Sequence, residues 1–427
     1  MPETAQFQIA NRKDVRELLE KNPQADILIG IPSYNNARTI GHVAQAVQAG
    51  CNKYFGDLKT VIVNSDGGSS DGTVEVFKQS TIQDPRSIMI PHRTSEPFRL
   101  SFPYHGIPGK GSAFRAMFEI AKMLNVKACA VVDSDLRSIT PEWVELLVKP
   151  VLEGGIDFVA PLYHRHKYDG TITNSIVYPL TRSLYGKRVR QPIGGDFGFS
   201  GKLASFYLEK DVWESDVARF GIDIWMTTTA IANGFRVGQS FLGAKIHDAK
   251  DPGADLSSML YQVLSSTFDL MIEYDAKWKE ISGSEPVLKY GFMYEVGLEP
   301  VKVNVERMVA LFRQGAKDLS PIWATFLKVD SLQFIESLAS SHNGKFHMPD
   351  EQWVDIIHAS AIGCLTGALN REHLIKSLTP LYMGKTASWI LDTAESGVDD
   401  VEKKMEDLCL MYESKKPGLI REWTEKG

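Results

Sequence analysis

Cysteine is scarce in this chain: Cys51, Cys129, Cys364 and Cys409 are the only four in 427 residues, far apart and without a C-x-x-C pair. That spacing argues against a disulfide framework or a cysteine zinc site and reads as buried thiols in a reducing compartment. Long apolar runs are missing too, so no transmembrane segment is expected. The opening MPETAQFQIANRKD lacks the apolar core of a signal peptide, which makes a soluble, cytoplasmic protein the expectation. Basic charge is not in excess: 47 Lys and Arg stand against 53 Asp and Glu, a net charge of −6, which argues against nucleic acid as a partner. What is present, 43% apolar and 23% charged residues, suits a soluble enzyme with one large core and a second, smaller one.

Residues 26–32, DILIGIP, and 60–64, TVIVN, read as buried strands, the second running into a Gly/Ser/Asp cluster. Between them Ile40, Val43, Ala44 and Val47 recur at the spacing of one helix face, with Gly50 as the expected stop. Phe114, Met117, Phe118 and Ala121 line a further helix, which leads into ACAVVDSD (128–135), a third strand. Thr140-Pro141-Glu142 then supplies an N-cap, a proline at N1 and an acid in the first turn of a helix burying Trp143, Leu146, Leu147 and Val151. IDFVAPLY (156–163) is a fourth strand. The alternation predicts an α/β fold, a mostly parallel sheet with helices on both faces.

Beyond about 257 the strand signals stop, and Trp353, Ile356 and Ile357 behind Pro349-Asp350 indicate helices. The expected organisation is an N-terminal helical extension over 1–25, a catalytic domain over 26–285 and a helical C-terminal region over 286–427. Residues 80–112, rich in Pro, Ser, Arg and His, read as one long loop, a length usually reserved for function or mobility.

The strongest chemical signal is Asp133-Ser134-Asp135 at the end of an apolar strand, because ligands of open parallel sheets bind outside the carboxyl ends of strands. Two carboxylates there suit a hard divalent cation, Mg²⁺ or Mn²⁺, bridging to nucleotide phosphates, although a solvated strand end gives the same pattern. Gly109-Lys110-Gly111 precedes a helix and either cradles a phosphate or is a plain helix entry; it lacks Walker spacing. Residues 64–73, NSDGGSSDGT, offer acceptors for a base or ribose, or simply form a capped turn. Gln191-Pro192-Ile193-Gly194-Gly195-Asp196 permits close backbone approach to a ligand. His247 is a candidate third metal ligand, and Asp223, behind Gly221-Ile222, is either a helix cap or a group beside the transferred moiety. Arg165, His166 and Lys167 would suit a small carboxylate or phosphate, or are solvated surface.

In order along the chain, IPSYNNARTI, VNSDGGSSDGT, GKGSAFRA, VVDSD, QPIGGD, GID and His247 resemble GT-A glycosyltransferases, and more narrowly the retaining mannosylglycerate synthase and glucosyl-3-phosphoglycerate synthase families. The stretch KFHMPDEQWVDIIH looks like the helical extension of the mannosylglycerate enzymes.

The resemblance implies a Rossmann-like GT-A fold and a retaining transfer of glucose or mannose from a GDP- or UDP-linked sugar. The acceptor would be a small hydroxy acid, D-glycerate or 3-phosphoglycerate, modified at its 2-hydroxyl. Asp133, Asp135 and His247 would hold Mg²⁺ or Mn²⁺, with Asp135 the more direct ligand. Pro32, Tyr34, Asp66, Lys110, Asp133, Ser134 and Lys245 would serve the donor, while Asp223 lies near its sugar. Arg165, Thr173, Asn174, Gly194 and Gly195 would serve the acceptor. The catalytic set would be Asp135, Asp223 and Lys110, and the protein would form a homodimer or larger homo-oligomer.

Three departures stand out. Asn36-Ala37 replaces the acidic pair common after the first strand, the usual D-[DS]-[GS]-S-x-D loop carries extra length as NSDGGSSD, and Asp248 follows His247 where relatives usually carry arginine, shifting weight to Lys245 and Lys250. The alternative is an inverting family 2-type transferase acting on a polysaccharide or lipid-linked acceptor, with Asp196 as general base.

Overall fold

The computed structural model describes residues 15, 24–80, 98–103, 109–219, 221–246, 257–294, 297–298, 300–341 and 346–427. Contacts divide the chain into two compact units. The first holds Met1–His164, Ile193–Ala249 and Val287–Leu298; the second holds Arg165–Pro192, Lys250–Pro286 and Glu299–Gly427. The sequence suggests a single boundary near 285, whereas the units interleave. Residues 165–192 contribute helices that pack on the C-terminal helix Val398–Lys426, and 287–298 return a strand to the sheet. Of the extension expected over 1–25, only Val15, Gln24 and Ala25 are among the described residues.

The strands are β1 (Ile27–Ser33), β2 (Thr60–Asp66), β3 (Phe98–Pro103), β4 (Ala128–Val131), β5 (Phe158–His164), β6 (Lys187–Arg188), β7 (Phe197–Ser200), β8 (Val237–Ala244), β9 (Glu285–Pro286) and β10 (Leu288–Tyr290). Eight of them form the sheet of the first unit in the order β10-β8-β5-β7-β4-β1-β2-β3; β6 pairs only with β9, in the second unit. All neighbours in the eight-stranded sheet run parallel except β7, which is antiparallel to both β4 and β5. The fold is therefore α/β with a mostly parallel sheet, as the alternating pattern predicts.

Strand β1 shows why both faces carry helices. Ile27, Ile29 and Ile31 point into one core layer with Ile40, Val43, Val47, Trp143 and Leu147, from the helices Ile40–Phe55 and Pro141–Leu152. The intervening Gly30 lies on the other face, where an added Cβ would stand 2.2 Å from Met117 Sδ of the helix Lys110–Met123. Gly50 does not stop the first helix, which continues to Phe55. A Cβ at residue 50 would fall 2.5 Å from the Pro141 carbonyl oxygen, so this glycine serves the close crossing of two helices.

Two further expectations change. Residues 80–112 are not one loop, because β3 pairs along β2 from Val61↔Phe98 to Asp66↔Pro103. Strands also do not end at 257: β10 adds three residues to the sheet edge beside β8.

The second unit is mainly helical. Its helices include Val305–Trp323, Asp350–Thr366, Thr379–Thr393 and Val398–Lys426, around buried Trp323, Trp353 and Trp423. Arg182, fully buried, ties the helix Tyr178–Tyr185 to the C-terminal helix through Glu406, at 2.6 and 2.7 Å, and Glu413, at 2.8 Å. The four cysteines are free thiols, and all but Cys364 are fully buried. Among the described residues no helix is long and apolar enough to cross a membrane.

Candidate active site

Strand β1 lies between β2 and β4, and the chain proceeds outward from it in both directions, which makes the carboxyl ends of β1 and β4 a topological switch point. Side chains close the gap there. Ser134 Oγ donates to Asn36 Oδ1 at 2.8 Å, Tyr34 N donates to the same oxygen at 3.1 Å, and Thr39 Oγ1 donates to the Ser134 carbonyl at 2.7 Å. An acid at position 36 would set a charge against the Asp133-Ser134-Asp135 turn, whereas the asparagine amide links the two strand ends. Pro32 is buried within β1, while Tyr34 just beyond it is 61% exposed.

Asp66, at the end of β2, accepts from Ser33 Oγ (2.9 Å), Ser69 Oγ (2.6 Å), Gly68 N (2.9 Å) and Ser69 N (2.8 Å). Its carboxylate shapes the 66–73 loop. Asp71 stitches that loop to the first, accepting from Ala37 N at 3.0 Å and Thr73 N at 3.1 Å.

A charged cluster forms at the end of β4. Lys110 Nζ lies 2.8 Å from Asp133 Oδ1 and 3.3 Å from Asp223 Oδ1, and donates to the Gly195 carbonyl at 3.3 Å. Lys245 Nζ, one residue past β8, donates to Asp133 Oδ2 (2.7 Å), Asp196 Oδ2 (2.7 Å) and the Gly194 carbonyl (2.8 Å). Asp196 Oδ1 accepts from Asp133 N at 2.7 Å, and Tyr163 Oη donates to Asp196 Oδ2.

Burial and charge compete in this cluster. Burial would raise the Asp133 pKa, but the cations of Lys110 and Lys245 overcome it and hold the carboxyl well below its usual range. Burial works against the Lys110 ammonium, yet Asp133 and Asp223 hold its pKa above the usual lysine value. Asp223 goes the other way: burial pushes its pKa up, Lys110 opposes, and the nearby Asp133 adds to the rise.

The glycines of the 109–111 segment are explained by packing. A Cβ on Gly109 would lie 2.5 Å from the Ala218 carbonyl, one on Gly111 would lie 1.9 Å from the Val217 carbonyl, and Gly111 N donates to the Arg219 carbonyl at 3.1 Å. The segment thus seats against residues 217–219 and projects Lys110 at the carboxylates.

The structure brings together Lys110, Asp133, Asp223, Gly194, Gly195 and Lys245. It joins to them Asp196, which the sequence offers in the 191–196 segment and as the general base of the inverting alternative, and Tyr163, which nothing in the sequence singles out. Asp135 lies half-buried two residues beyond Asp133. His247 and Lys250 fall outside the described residues, as does Asp248. Among the described residues, no group of three or more His, Cys, Asp or Glu side chains is placed to hold a metal ion.

Arg165, Thr173 and Asn174 belong to the second unit. Arg165 pairs with Asp169 at 3.6 Å. Asn174 accepts from Arg190 Nη1 at 2.9 Å and donates to the Asp169 carbonyl at 3.1 Å, and Thr173 is buried at the start of the π-helical turn Thr173–Val177. Lys167 donates to the carbonyls of Thr393 (2.6 Å), Ala394 (3.0 Å) and Ser396 (3.2 Å), so it caps the end of the helix Thr379–Thr393.

Fold and site together define a doubly wound α/β protein with an acidic and lysine-rich cluster at its switch point. No family model matches the chain, and no curated protein matches it. Among solved structures it is similar to glucosyl-3-phosphoglycerate synthase from Mycobacterium tuberculosis in complex with Mn²⁺, UDP and phosphoglyceric acid. That likeness has 20% identity and a TM-score of 0.43, over 60% of this chain and 82% of the other. The same enzyme with Mg²⁺ and UDP matches at 20% identity and a TM-score of 0.43, over 61% of this chain and 83% of the other. A structure described as a mycobacterial protein matches at 20% identity and a TM-score of 0.42, over 61% of this chain and 78% of the other.

Proposed function

We propose that this chain is a metal-dependent, retaining hexosyltransferase of the GT-A type. Its donor would be a GDP- or UDP-linked glucose or mannose, and its acceptor the 2-hydroxyl of D-glycerate or 3-phosphoglycerate. The observation that supports this most is the meeting of Lys110, Asp133 and Asp223 outside the carboxyl end of β4, at the switch point.

A departing nucleoside diphosphate accumulates negative charge, and preorganised cations lower the barrier to its departure. Lys110 is the side chain proposed to meet that charge. Asp135 and His247 offer a carboxylate oxygen and an imidazole, a donor set that suits Mn²⁺ and accommodates Mg²⁺ through the carboxylate. Both oxygens of Asp133 lie against lysine ammonium groups, so its proposed part is to fix those cations. A bound ion would neutralise charge on the leaving group. Asp223, whose charged form is disfavoured by burial, is assigned to orienting the sugar and not to nucleophilic attack. The acceptor proton passes to the departing phosphate in a front-face substitution.

The inverting alternative requires Asp196 to reach the acceptor hydroxyl as a base. Asp196 is 0% exposed, and its oxygens already accept from Asp133 N, Lys245 and Tyr163, which argues against that role.

The test is calorimetric titration with UDP and GDP, with and without Mn²⁺, on the parent protein and Asp135→Ala. The expected result is Mn²⁺-dependent binding of one nucleotide, lost in the variant while its melting temperature is kept. A parent that binds neither nucleotide, or a variant that binds like the parent, overturns the assignment.

A further inference from the structure

The two lysines of the cluster differ in how they are held. Lys245 is 5% exposed on its side chain, and it donates to Asp133 Oδ2, Asp196 Oδ2 and the Gly194 carbonyl at 2.7, 2.7 and 2.8 Å. An ammonium has three N–H donors, so these contacts fill it. Lys110 is more exposed, at 13%, and apart from Asp133 its contacts are long, 3.3 to 3.5 Å.

Lys245 and the residues around it come from four strands of the sheet. It follows β8, Tyr163 is on β5, Asp196 immediately precedes β7, and Asp133 lies two residues past β4. These are four consecutive strands in the order β8-β5-β7-β4. Asp196 joins them: it accepts from Lys245, from Tyr163 Oη and from the Asp133 backbone N–H. The carboxylate of Asp133 is therefore fixed by Lys245 at Oδ2, while its backbone is fixed by Asp196 at N.

We infer that Lys245, Asp196 and Tyr163 form a positioning frame that sets the orientation of Asp133 and the turn leading to Asp135, and that Lys245 itself does not contact the donor. Of the two lysines only Lys110 faces the ligand. This rests on the proposed nucleotide-binding function of the same site. Outer-shell partners of this kind typically matter at the level of about 10- to 100-fold in metal affinity or activity.

The experiment compares Lys245→Met, Tyr163→Phe and the double variant Lys245→Met/Asp196→Asn in the full chain. It reads melting temperature and the dissociation constants of Mn²⁺-UDP and Mn²⁺-GDP. A parent that binds neither complex defeats the underlying function; with a parent that binds, the variants decide the frame alone. Lys245→Met leaves the Asp196 carboxylate buried without its cation, so it lowers both stability and affinity. The double variant removes that stranded charge and regains most of the lost melting temperature, but affinity stays about tenfold or more below the parent. Tyr163→Phe, which removes one hydroxyl, keeps the fold and weakens affinity about two- to fivefold. The frame is contradicted if affinity recovers together with stability in the double variant, or if Tyr163→Phe binds like the parent.

Discussion

Gly195 and Asp133 are mutually dependent: a Cβ at residue 195 would stand 2.3 Å from Asp133 Oδ2 and 3.0 Å from Lys245 Nζ. Gly195 also has a φ of +87°, a left-handed conformation that disfavours other residues by about 1–2 kcal/mol. Gly195→Ala is expected to lower the melting temperature and displace Asp133 at once. Gly234→Ala is the control, because its φ of +75° carries the backbone cost with nothing within 4 Å of the new methyl among the described residues. Thermal melts should fall in both variants, while Mn²⁺-nucleotide affinity falls only in the first. Equal affinity in the two would sever Gly195 from the site.

Lys110 carries the leaving-group charge in this account. Lys110→Met keeps most of the apolar stem and removes the ammonium, whose Nζ lies 5.3 Å from the Phe114 ring centroid. Loss of one preorganised charge-stabilising donor typically costs about 10²–10³ in kcat. Steady-state kinetics with the best donor should show that fall with a much smaller change in KM. A fall confined to KM would make the lysine a ground-state anchor.

The second unit makes a separate pH prediction. His358 is buried against Tyr412, with ring centroids 5.7 Å apart, and its Nε2 has no hydrogen-bond partner among the described residues. Burial, helped by the positive charges of Lys415 and Lys328, pushes its pKa down to about 3. The unfolded chain therefore binds one more proton than the native state between that value and the ordinary 6.5, so stability falls as pH drops through that window. At pH 4.5 the loss from this group is about 2–3 kcal/mol. Urea unfolding of His358→Leu should show a flatter acid limb than the parent; an unchanged limb would place the acid sensitivity elsewhere.

Much of this architecture was legible in the residues. Ile27, Ile29 and Ile31 alternate as a strand must, Ile40, Val43 and Val47 repeat as a helix must, and the DSD turn sits where the sheet ends. Strand β3 does not stand out in the sequence although Phe98, Leu100 and Phe102 alternate with Arg99 and Ser101, because the segment is set among turn formers. The antiparallel β7, four residues long, carries no signal of its direction. Tyr163 and Asp196 are 33 positions apart, and Lys245 a further 49, so their meeting depends on strand order and not on any local pattern. The Arg165-His166-Lys167 cluster illustrates the converse. Three basic residues in a row suggest an anion site, yet Lys167 serves three carbonyls at a helix end.

The measurement that bears most directly on the central claim is a product screen by mass spectrometry. Purified protein with Mg²⁺ or Mn²⁺ is given GDP- and UDP-linked glucose and mannose, each crossed with D-glycerate and 3-phosphoglycerate. The account predicts a metal-dependent hexosyl-glycerate or its phosphate from one donor, with α configuration by NMR. A β-configured product, or no transfer to either acceptor while a sugar nucleotide is bound and consumed elsewhere, would contradict it.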